Sequence, residues 1–313
     1  MIIKPKISVI MLTYNREKYV SKAIESILNQ TFTDFEFILV DNGSEDNSGG
    51  ICDSYAKRDI RILVIHKEKG NIGSGRNAGL LIAQGEFITF IDDDDIAEPD
   101  MLAFLYNLIT KYEAGVSICG SWRSTDGVLT PKYIFDEILE LNTEQAIVEL
   151  LKRERYNVGM PTKMFLRGLL TPPPFLECGN YDDITTTYKV FSYTHKVVLH
   201  GVPKYTTYRH DKNNSAFSLN HQLLSSDILD EYLKAYRQRT EYLSEKLPAI
   251  KNYIQYSEWS FMISMCEKIK RYRITGCELH FDDITTTLKK NKEAIMSNLY
   301  LQDFESVWLK QNI

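Results

Sequence analysis

The chain is poor in cysteine for its length, with five in 313 residues: Cys52, Cys119, Cys178, Cys266 and Cys277. The number is odd and no two form a CxxC pair, which excludes a disulfide scaffold and argues against a structural zinc site. Such usage fits a reducing cytosol, with the thiols expected as buried small hydrophobes. Long hydrophobic runs are missing too. No segment reaches the roughly 18 apolar residues of a membrane-spanning helix. The opening Met1-Ile2-Ile3-Lys4-Pro5-Lys6 lacks the apolar stretch of a secretory signal. Nor is there an excess of positive charge. Lysine and arginine number 37 against 42 aspartates and glutamates, a net charge of -5 with both signs interspersed. That balance excludes a general nucleic-acid binder, whose surface would be dominated by phosphate-seeking cations. What remains is an ordinary, slightly acidic chain, 43% hydrophobic, long enough for one large domain or two smaller ones.

Its first part alternates apolar, β-rich runs with helical patterns. The strand candidates are Ile7 to Thr13, Phe35 to Asp41, Ile60 to His66, Phe87 to Ile91 and Val116 to Cys119. Helical stretches lie near Lys18 to Asn29, Ser48 to Lys57, Ser74 to Ala83 and Met101 to Tyr112. Strands without polar alternation, separated by helices, predict a mostly parallel sheet covered on both faces. Ligands of such sheets bind beyond the carboxyl ends of the strands. Three of those ends carry conspicuous polar groups: Thr13-Tyr14-Asn15, Asp41-Asn42-Gly43-Ser44 and the run Asp92-Asp93-Asp94-Asp95. They are expected to converge on one crevice.

The four consecutive aspartates are the strongest chemical signal. Adjacent carboxylates repel one another, and a hard divalent ion such as Mg2+ or Mn2+, bound by oxygen ligands and shared with a diphosphate, relieves that repulsion. A helix N-cap accounts for one aspartate rather than four. Gly73-Ser74-Gly75-Arg76-Asn77-Ala78-Gly79 superficially matches a dinucleotide fingerprint. Its spacing is GxGxxxG, however, and it opens the third crossover instead of the first. The alternative is a tight turn into a helix whose first turn presents Arg76 and Asn77 to a phosphate.

Ile7-Ser8-Val9-Ile10-Met11-Leu12-Thr13-Tyr14-Asn15-Arg16-Glu17, Leu28-Asn29-Gln30-Thr31-Phe32, Leu39-Val40-Asp41-Asn42-Gly43-Ser44, Arg76-Asn77-Ala78-Gly79 and Phe90-Ile91-Asp92-Asp93-Asp94-Asp95 follow in one order. Together they closely resemble the GT-A inverting glycosyltransferases of family 2, from residue 5 to about residue 215. The resemblance implies an α/β GT-A fold, Rossmann-like, with a mostly parallel sheet flanked by helices. It also implies a metal-dependent, inverting transfer of a sugar from a nucleotide-sugar, most often a UDP-sugar, to an acceptor hydroxyl.

Carried over residue by residue, the resemblance assigns Thr13, Tyr14, Asn15 and Asp41 to the base and ribose of the donor. Asp41 would accept from a uracil N3–H, although the same carboxylate can bind the amides of its own turn. Arg76 and Asn77 fall on the donor diphosphate, Asp92 and Asp93 near the ribose and sugar, and Asp94 on Mn2+ or Mg2+. Because Asp93 replaces the usual small residue between carboxylates, the identity of the metal-touching carboxylate stays open. The base falls in Tyr181-Asp182-Asp183-Ile184-Thr185, with Asp183 the choice over Glu177 and Asp182; the family more often has glutamate at position 182. Capping of the helix that follows is the structural alternative for this pair. In Tyr208-Arg209-His210-Asp211-Lys212-Asn213-Asn214-Ser215, His210 is a second candidate metal ligand.

Beyond residue 215 the pattern changes to long helices, giving a GT-A domain over 1–215 and a helical extension over 216–313. Leu224, Ile228, Tyr232 and Tyr236 recur every four residues, and a second long periodic segment covers Ile250 to Arg271. The basic group Lys268, Lys270, Arg271 and Arg273 suits either a solvated helix face or anionic lipid. Asp182-Asp183-Ile184-Thr185-Thr186-Thr187 recurs as Asp282-Asp283-Ile284-Thr285-Thr286-Thr287, which reads as chance convergence on a helix start. The expected partners are a UDP-sugar and a saccharide or lipid-linked saccharide acceptor in polysaccharide synthesis, without nucleic acid. A cytoplasmic location, peripheral to the inner membrane face, and a homodimer through the aromatic helices are compatible with this. Two other classes compete. A sugar nucleotidyltransferase needs a glycine-rich, lysine-bearing loop after the first strand, which is not visible here. A non-catalytic nucleotide-sugar binder would keep Asp41 and the aspartate run yet have no use for Asp183.

Overall fold

A computed structural model describes residues 4–210 and 221–313. The chain forms two compact units, one ending at Arg209 and the other beginning at His210. The sequence boundary at 215 lies outside the described residues.

The first unit is built on a sheet whose initial strands are β1 (Ile7–Thr13), β2 (Phe35–Asp41), β3 (Ile62–His66) and β4 (Phe87–Asp92). Every residue of β2 is buried, as a central strand covered on both faces requires. Between them run α1 (Val20–Leu28), α2 (Ser48–Ala56) and α3 (Ile72–Ile82). The buried residues of α1 are Val20, Ala23, Ile24 and Ile27, the one-sided spacing of a helix lying on a sheet. Asn71 caps α3 by accepting from the Ser74 amide at 2.8 Å. The glycines of α3 are explained by close packing rather than by a cofactor. A Cβ on Gly75 would stand 2.1 Å from Leu12 Cδ1, and one on Gly79 would stand 2.6 Å from Ile10 Cγ2.

After β4 come β5 (Ile96–Ala97), α4 (Met101–Lys111), β6 (Val116–Thr125), β7 (Val128–Lys132), β8 (Ile138–Leu141), α5 (Thr143–Lys152), β9 (Lys163–Leu166), α6 (Asp182–Tyr193) and β10 (Val197–Arg209). The sheet order is β3-β2-β1-β4-β9-β6-β10-β5, with β7 on β6 and β8 on β10. The first four strands are parallel, as the sequence indicated. The fifth sequence-predicted strand departs from that pattern. β6 does not pair with β4, because β9 lies between them, antiparallel to both. β6 also runs on past Cys119 to Thr125 and turns into β7 through Asp126 and Gly127, with φ of 51° and 80°. Two positive φ angles in a two-residue loop match the right-handed twist of a hairpin.

The second unit consists of α7 (Ser226–Lys246), α8 (Lys251–Tyr272), α9 (Glu278–Lys290), α10 (Lys292–Met296) and α11 (Asp303–Asn312). Leu229, Ile263, Cys266, Leu288, Ile295 and Leu309 belong to its core. The four-residue aromatic spacing is packing: Tyr236 stacks on Phe261 at 3.8 Å and Tyr232 lies 6.1 Å from the same ring. Asp282 to Thr287 sit inside α9, whereas Asp182 opens α6, so the repeated hexapeptide does not mark two helix starts. In the basic group, Lys270 donates to Asn312 Oδ1 at 2.7 Å and Arg273 is the left-handed C-cap of α8. Among the described residues no helix is long and apolar enough to cross a membrane. Four cysteines are buried as expected, but Cys178 is exposed, because it lies in an irregular segment before α6.

Candidate active site

The carboxyl ends of β1, β2, β3 and β4 meet, and hydrogen bonds tie them together. At the end of β1, the Tyr14 amide donates to Asp93 Oδ2 at 3.2 Å. Asn15 adopts a left-handed φ of 53°, with its amide donating to Ser44 Oγ at 3.1 Å and its Oδ1 accepting from the Glu45 amide at 2.8 Å. Asn15 therefore ties the first strand end to the second. At the end of β2, Asp41 Oδ1 accepts from the Ser44 amide at 3.0 Å, the own-turn contact considered from sequence, while Oδ2 faces His66 Nδ1 at 3.1 Å. His66 Nε2 reaches Asp53 Oδ1 at 2.9 Å. These hydrogen bonds to two carboxylates raise the His66 pKa, Asp53 contributing most. Lys69, from the loop after β3, lies 4.7 Å above the Tyr14 ring.

The aspartates leave β4 as a concentrated negative charge. Burial pushes Asp93 up to about 8, with Asp94 adding to the rise and Thr13 and Arg16 opposing it. Asp92 rises to about 6, mainly because protein closes around it and against the pull of Arg76. Half its side chain stays open to solvent, consistent with a smaller shift than that of Asp93. Asp95 rises well above its usual range through burial and through Asp92 and Asp94. Its Oδ1 accepts from the Tyr208 amide at 2.8 Å. Arg16 Nε stands 3.7 Å from Asp93 Oδ1 and 3.6 Å from Asp94 Oδ2.

A hard divalent cation fits this donor set in one particular way. Crowded, buried carboxylates are what such an ion would relieve. Yet among the described residues no three His, Cys, Asp or Glu side chains form a metal cage. The site suits an ion held by one or two carboxylates and completed by phosphate oxygens, the usual habit of Mg2+. His210 is half-buried and opens the second unit.

Opposite the aspartates, the segment from Phe175 to Asp183 is held by α3. Asn71 Nδ2 donates to the Leu176 and Gly179 carbonyls at 3.0 and 3.1 Å. Asn77 Nδ2 donates to the Phe175 carbonyl and to Glu177 Oε1, both at 2.9 Å, and its Oδ1 accepts from the Phe175 amide at 3.2 Å. Arg76 is buried between the Phe90 and Phe175 rings, 5.7 and 5.5 Å from their centroids. Its Nη1 donates to Asp182 Oδ2 at 2.7 Å and its Nη2 stands 3.7 Å from Asp92. Burial works against the Arg76 charge, and Asp182, Asp92 and Asp183 outweigh it. Of the three base candidates, Glu177 is engaged by Asn77 and Asp182 by Arg76. Asp183 is held above the usual carboxylate range by burial and by Asp182, with its Oδ1 accepting from the Ile184 amide at 2.8 Å.

The sequence profile described as Glycosyl transferase family 2 matches residues 8–169. The chain belongs to glycosyl transferase family 2. Glycosyltransferase GlyG of Streptococcus pneumoniae serotype 4 is 34% identical over 203 residues, covering 62% of this chain and 67% of GlyG. The poly(ribitol-phosphate) beta-glucosyltransferase of Bacillus spizizenii is 32% identical over 169 residues, 53% of this chain and 26% of that protein. TarS of Staphylococcus aureus, a poly(ribitol-phosphate) beta-N-acetylglucosaminyltransferase, is 31% identical over 168 residues, 53% of this chain and 28% of TarS. The crystal structure of TarS 1-349 in complex with UDP shares the fold with a TM-score of 0.68 at 21% identity, covering 98% of this chain and 88% of that one. The chain spans well under two thirds of the length of several of its relatives.

Membership makes the chain a glycosyltransferase with the GT-A architecture. Its sequence gave no warning of Arg16 beside the aspartates, of His66 behind Asp41, or of the Arg76–Asp182 pair. Only the cation types were visible, and their partners lie far off in the chain.

Proposed function

We propose that the chain moves a sugar from a UDP-sugar to an acceptor hydroxyl with inversion at the anomeric carbon, in the assembly of a surface polysaccharide or glycoconjugate. The observation that carries this reading is the Arg76 guanidinium, which ties the start of α6, where Asp183 sits, to the Asp92 end of β4. The base and the leaving group of a single displacement must be held on opposite sides of one carbon, and a rigid buried link of this kind sets such a distance. TarS, which shares the fold, was crystallised with UDP, and the convergence of Thr13, Tyr14, Asn15 and Asp41 suits a nucleoside.

In this reading Asp41, braced by His66 and the Ser44 amide, receives the base, and Thr13, Tyr14 and Asn15 border the ribose. Asp92 and Asp93 would lie by the ribose and sugar, and Asp94 would hold Mn2+ or Mg2+. The bound ion supplies Lewis-acid neutralisation of the diphosphate. Arg76 adds fixed positive charge that needs no reorganisation as the bond breaks. Asp183 accepts the acceptor's hydroxyl proton as that oxygen attacks, and the UDP oxygen leaves with the electron pair of the glycosidic bond. A carboxylate with a raised pKa is the stronger base for this step.

Calorimetric titration with UDP, GDP and dTDP, each with Mn2+ and again with chelator, tests the donor. UDP alone is expected to bind, and to need the metal. Asp183→Asn is expected to lower transfer about 10²- to 10⁴-fold while UDP affinity holds. A fully active Asp183→Asn protein would remove Asp183 from the mechanism and return the question to Glu177 and Asp182.

A further inference from the structure

Lys163 has no exposed surface at all, although it stands in the strand that divides β4 from β6. Taking an amine out of water is unfavourable unless acceptors replace the water, and the acceptor that its Nζ reaches is the Gly159 carbonyl. Burial pushes the amine down to about 7, against Cys119 and Asp183. Near neutral pH the unfolded chain therefore holds this proton more tightly than the folded one, and the lysine weakens the fold. Methionine, of similar length and without polar hydrogens, would fill the same space at lower cost. A residue that breaks the rules of its surroundings in this way is expected at a functional site.

What the amine holds lies along α6. Tyr156 packs on Phe191, with ring centroids 5.7 Å apart, and Thr187 Oγ1 donates to the Val158 carbonyl at 2.6 Å. Phe191, Thr187 and Asp183 are four residues apart in sequence and so occupy one face of the helix. The chain from Tyr156 onward thus runs down that face toward the start of α6, beside 191 first and beside 187 next. Gly159 follows one residue after the Thr187 contact, where the next position on the face is Asp183. Its amide donates to Asn157 Oδ1 at 3.0 Å, which closes the turn on itself, and the Lys163 amine anchors that turn to the sheet.

We infer that Lys163 is a positioning residue for the transfer step: by holding the Gly159 carbonyl it fixes the 156–160 segment against α6, and so fixes where Asp183 meets the acceptor hydroxyl. The inference rests on the reading of Asp183 as the base and adds the residue that keeps it in place from the side away from Arg76.

Two variants of the full chain test it, Lys163→Met and Thr187→Val, which remove the two ties separately, together with their combination. The readouts are melting temperature at pH 7, UDP affinity with Mn2+, release of UDP from UDP-glucose and UDP-N-acetylglucosamine with water as acceptor, and amide hydrogen exchange. Lys163→Met is expected to melt higher than the wild type and to bind UDP within about twofold of it. It should nevertheless turn over about tenfold to a hundredfold more slowly, the consequence of a base displaced by about 1 Å. Exchange should rise about threefold to tenfold in residues 157–160 and 183–188, as one hydrogen bond is lost. Thr187→Val, a change of one hydroxyl to methyl, should move turnover and exchange in the same direction, and the double variant should lose less than the product of the two. Wild-type turnover in Lys163→Met overturns the inference, as does unchanged exchange in 183–188 in both single variants. A purely structural lysine would give a variant that is more stable and equally active. A wild-type protein that releases no UDP from either donor counts against the transferase reading alone, because exchange reports the tie to α6 without turnover.

Discussion

Arg76 Nη1 and Asp182 Oδ2, 106 residues apart in the chain, stand 2.7 Å from each other in the interior of the first unit. The pair joins the second turn of α3 to the first residue of α6, and Asp183, the next residue, inherits its position from it. Removing one member of a buried ion pair leaves the other uncompensated, whereas replacing both with apolar groups can be nearly neutral. Asp182→Ala is expected to destabilise the protein by about 3–5 kcal/mol, and Arg76→Leu/Asp182→Leu by much less. Urea unfolding of the two variants checks this; equal losses would mean that the charge pairing is immaterial and only the packing counts.

Gly73 sits where α3 meets the segment before α6. A Cβ there would stand 2.2 Å from the Leu176 carbonyl oxygen, a backbone atom that a side-chain rotation cannot move away. Gly73→Ala should shift that segment, and with it Asp183, while leaving the ends of β1 and β2 in place. Because a misplacement of about 1 Å can cost on the order of 10²-fold in rate, kcat is expected to fall by one to two orders of magnitude with UDP affinity little changed. Steady-state kinetics beside UDP titration separates the two effects.

His66 lies between Asp53 and Asp41, and its pKa is raised. Its proton is bound more tightly in the folded state, so the stabilisation it brings is complete below its unfolded pKa and disappears as pH rises through the folded value. Half of the side chain is exposed, which keeps the effect small. Between pH 6 and 8 the melting temperature of the wild type is expected to fall slightly relative to that of His66→Gln. Parallel pH profiles for the two proteins would show that the bridge carries no charge.

Lys163 on β9 behaves in the opposite sense. It is fully buried, with its amine donating to the Gly159 carbonyl, and burial lowers its pKa to about 7. The unfolded chain binds this proton more tightly, so stability rises with pH from about 7 toward the ordinary lysine value, at up to about 1.4 kcal/mol per pH unit. In Lys163→Met this rise should vanish. Denaturant melts of both proteins between pH 6.5 and 9.5 decide it, since the wild type should gain stability relative to the variant across that range.

What the sequence by itself determined is the part of the molecule whose physics is local. The apolar-rich run Phe35 to Asp41 reads as a strand covered on both faces, and the structure buries all seven of its residues; the apolar spacing of α1 likewise matches the one face it buries. The polar residues just past β1, β2 and β4 announced a crevice because parallel strands end on one side. The tertiary structure alone decided where β9 enters, since four residues between β4 and β6 carry no signal of their partner or direction. It also decided what Arg76 and Asn77 touch. The sequence reading places both at a diphosphate, and in the folded chain they hold residues about a hundred positions away. Pairings over such separations depend on the packing of α3 against the sheet, which places charges together only once the core has formed.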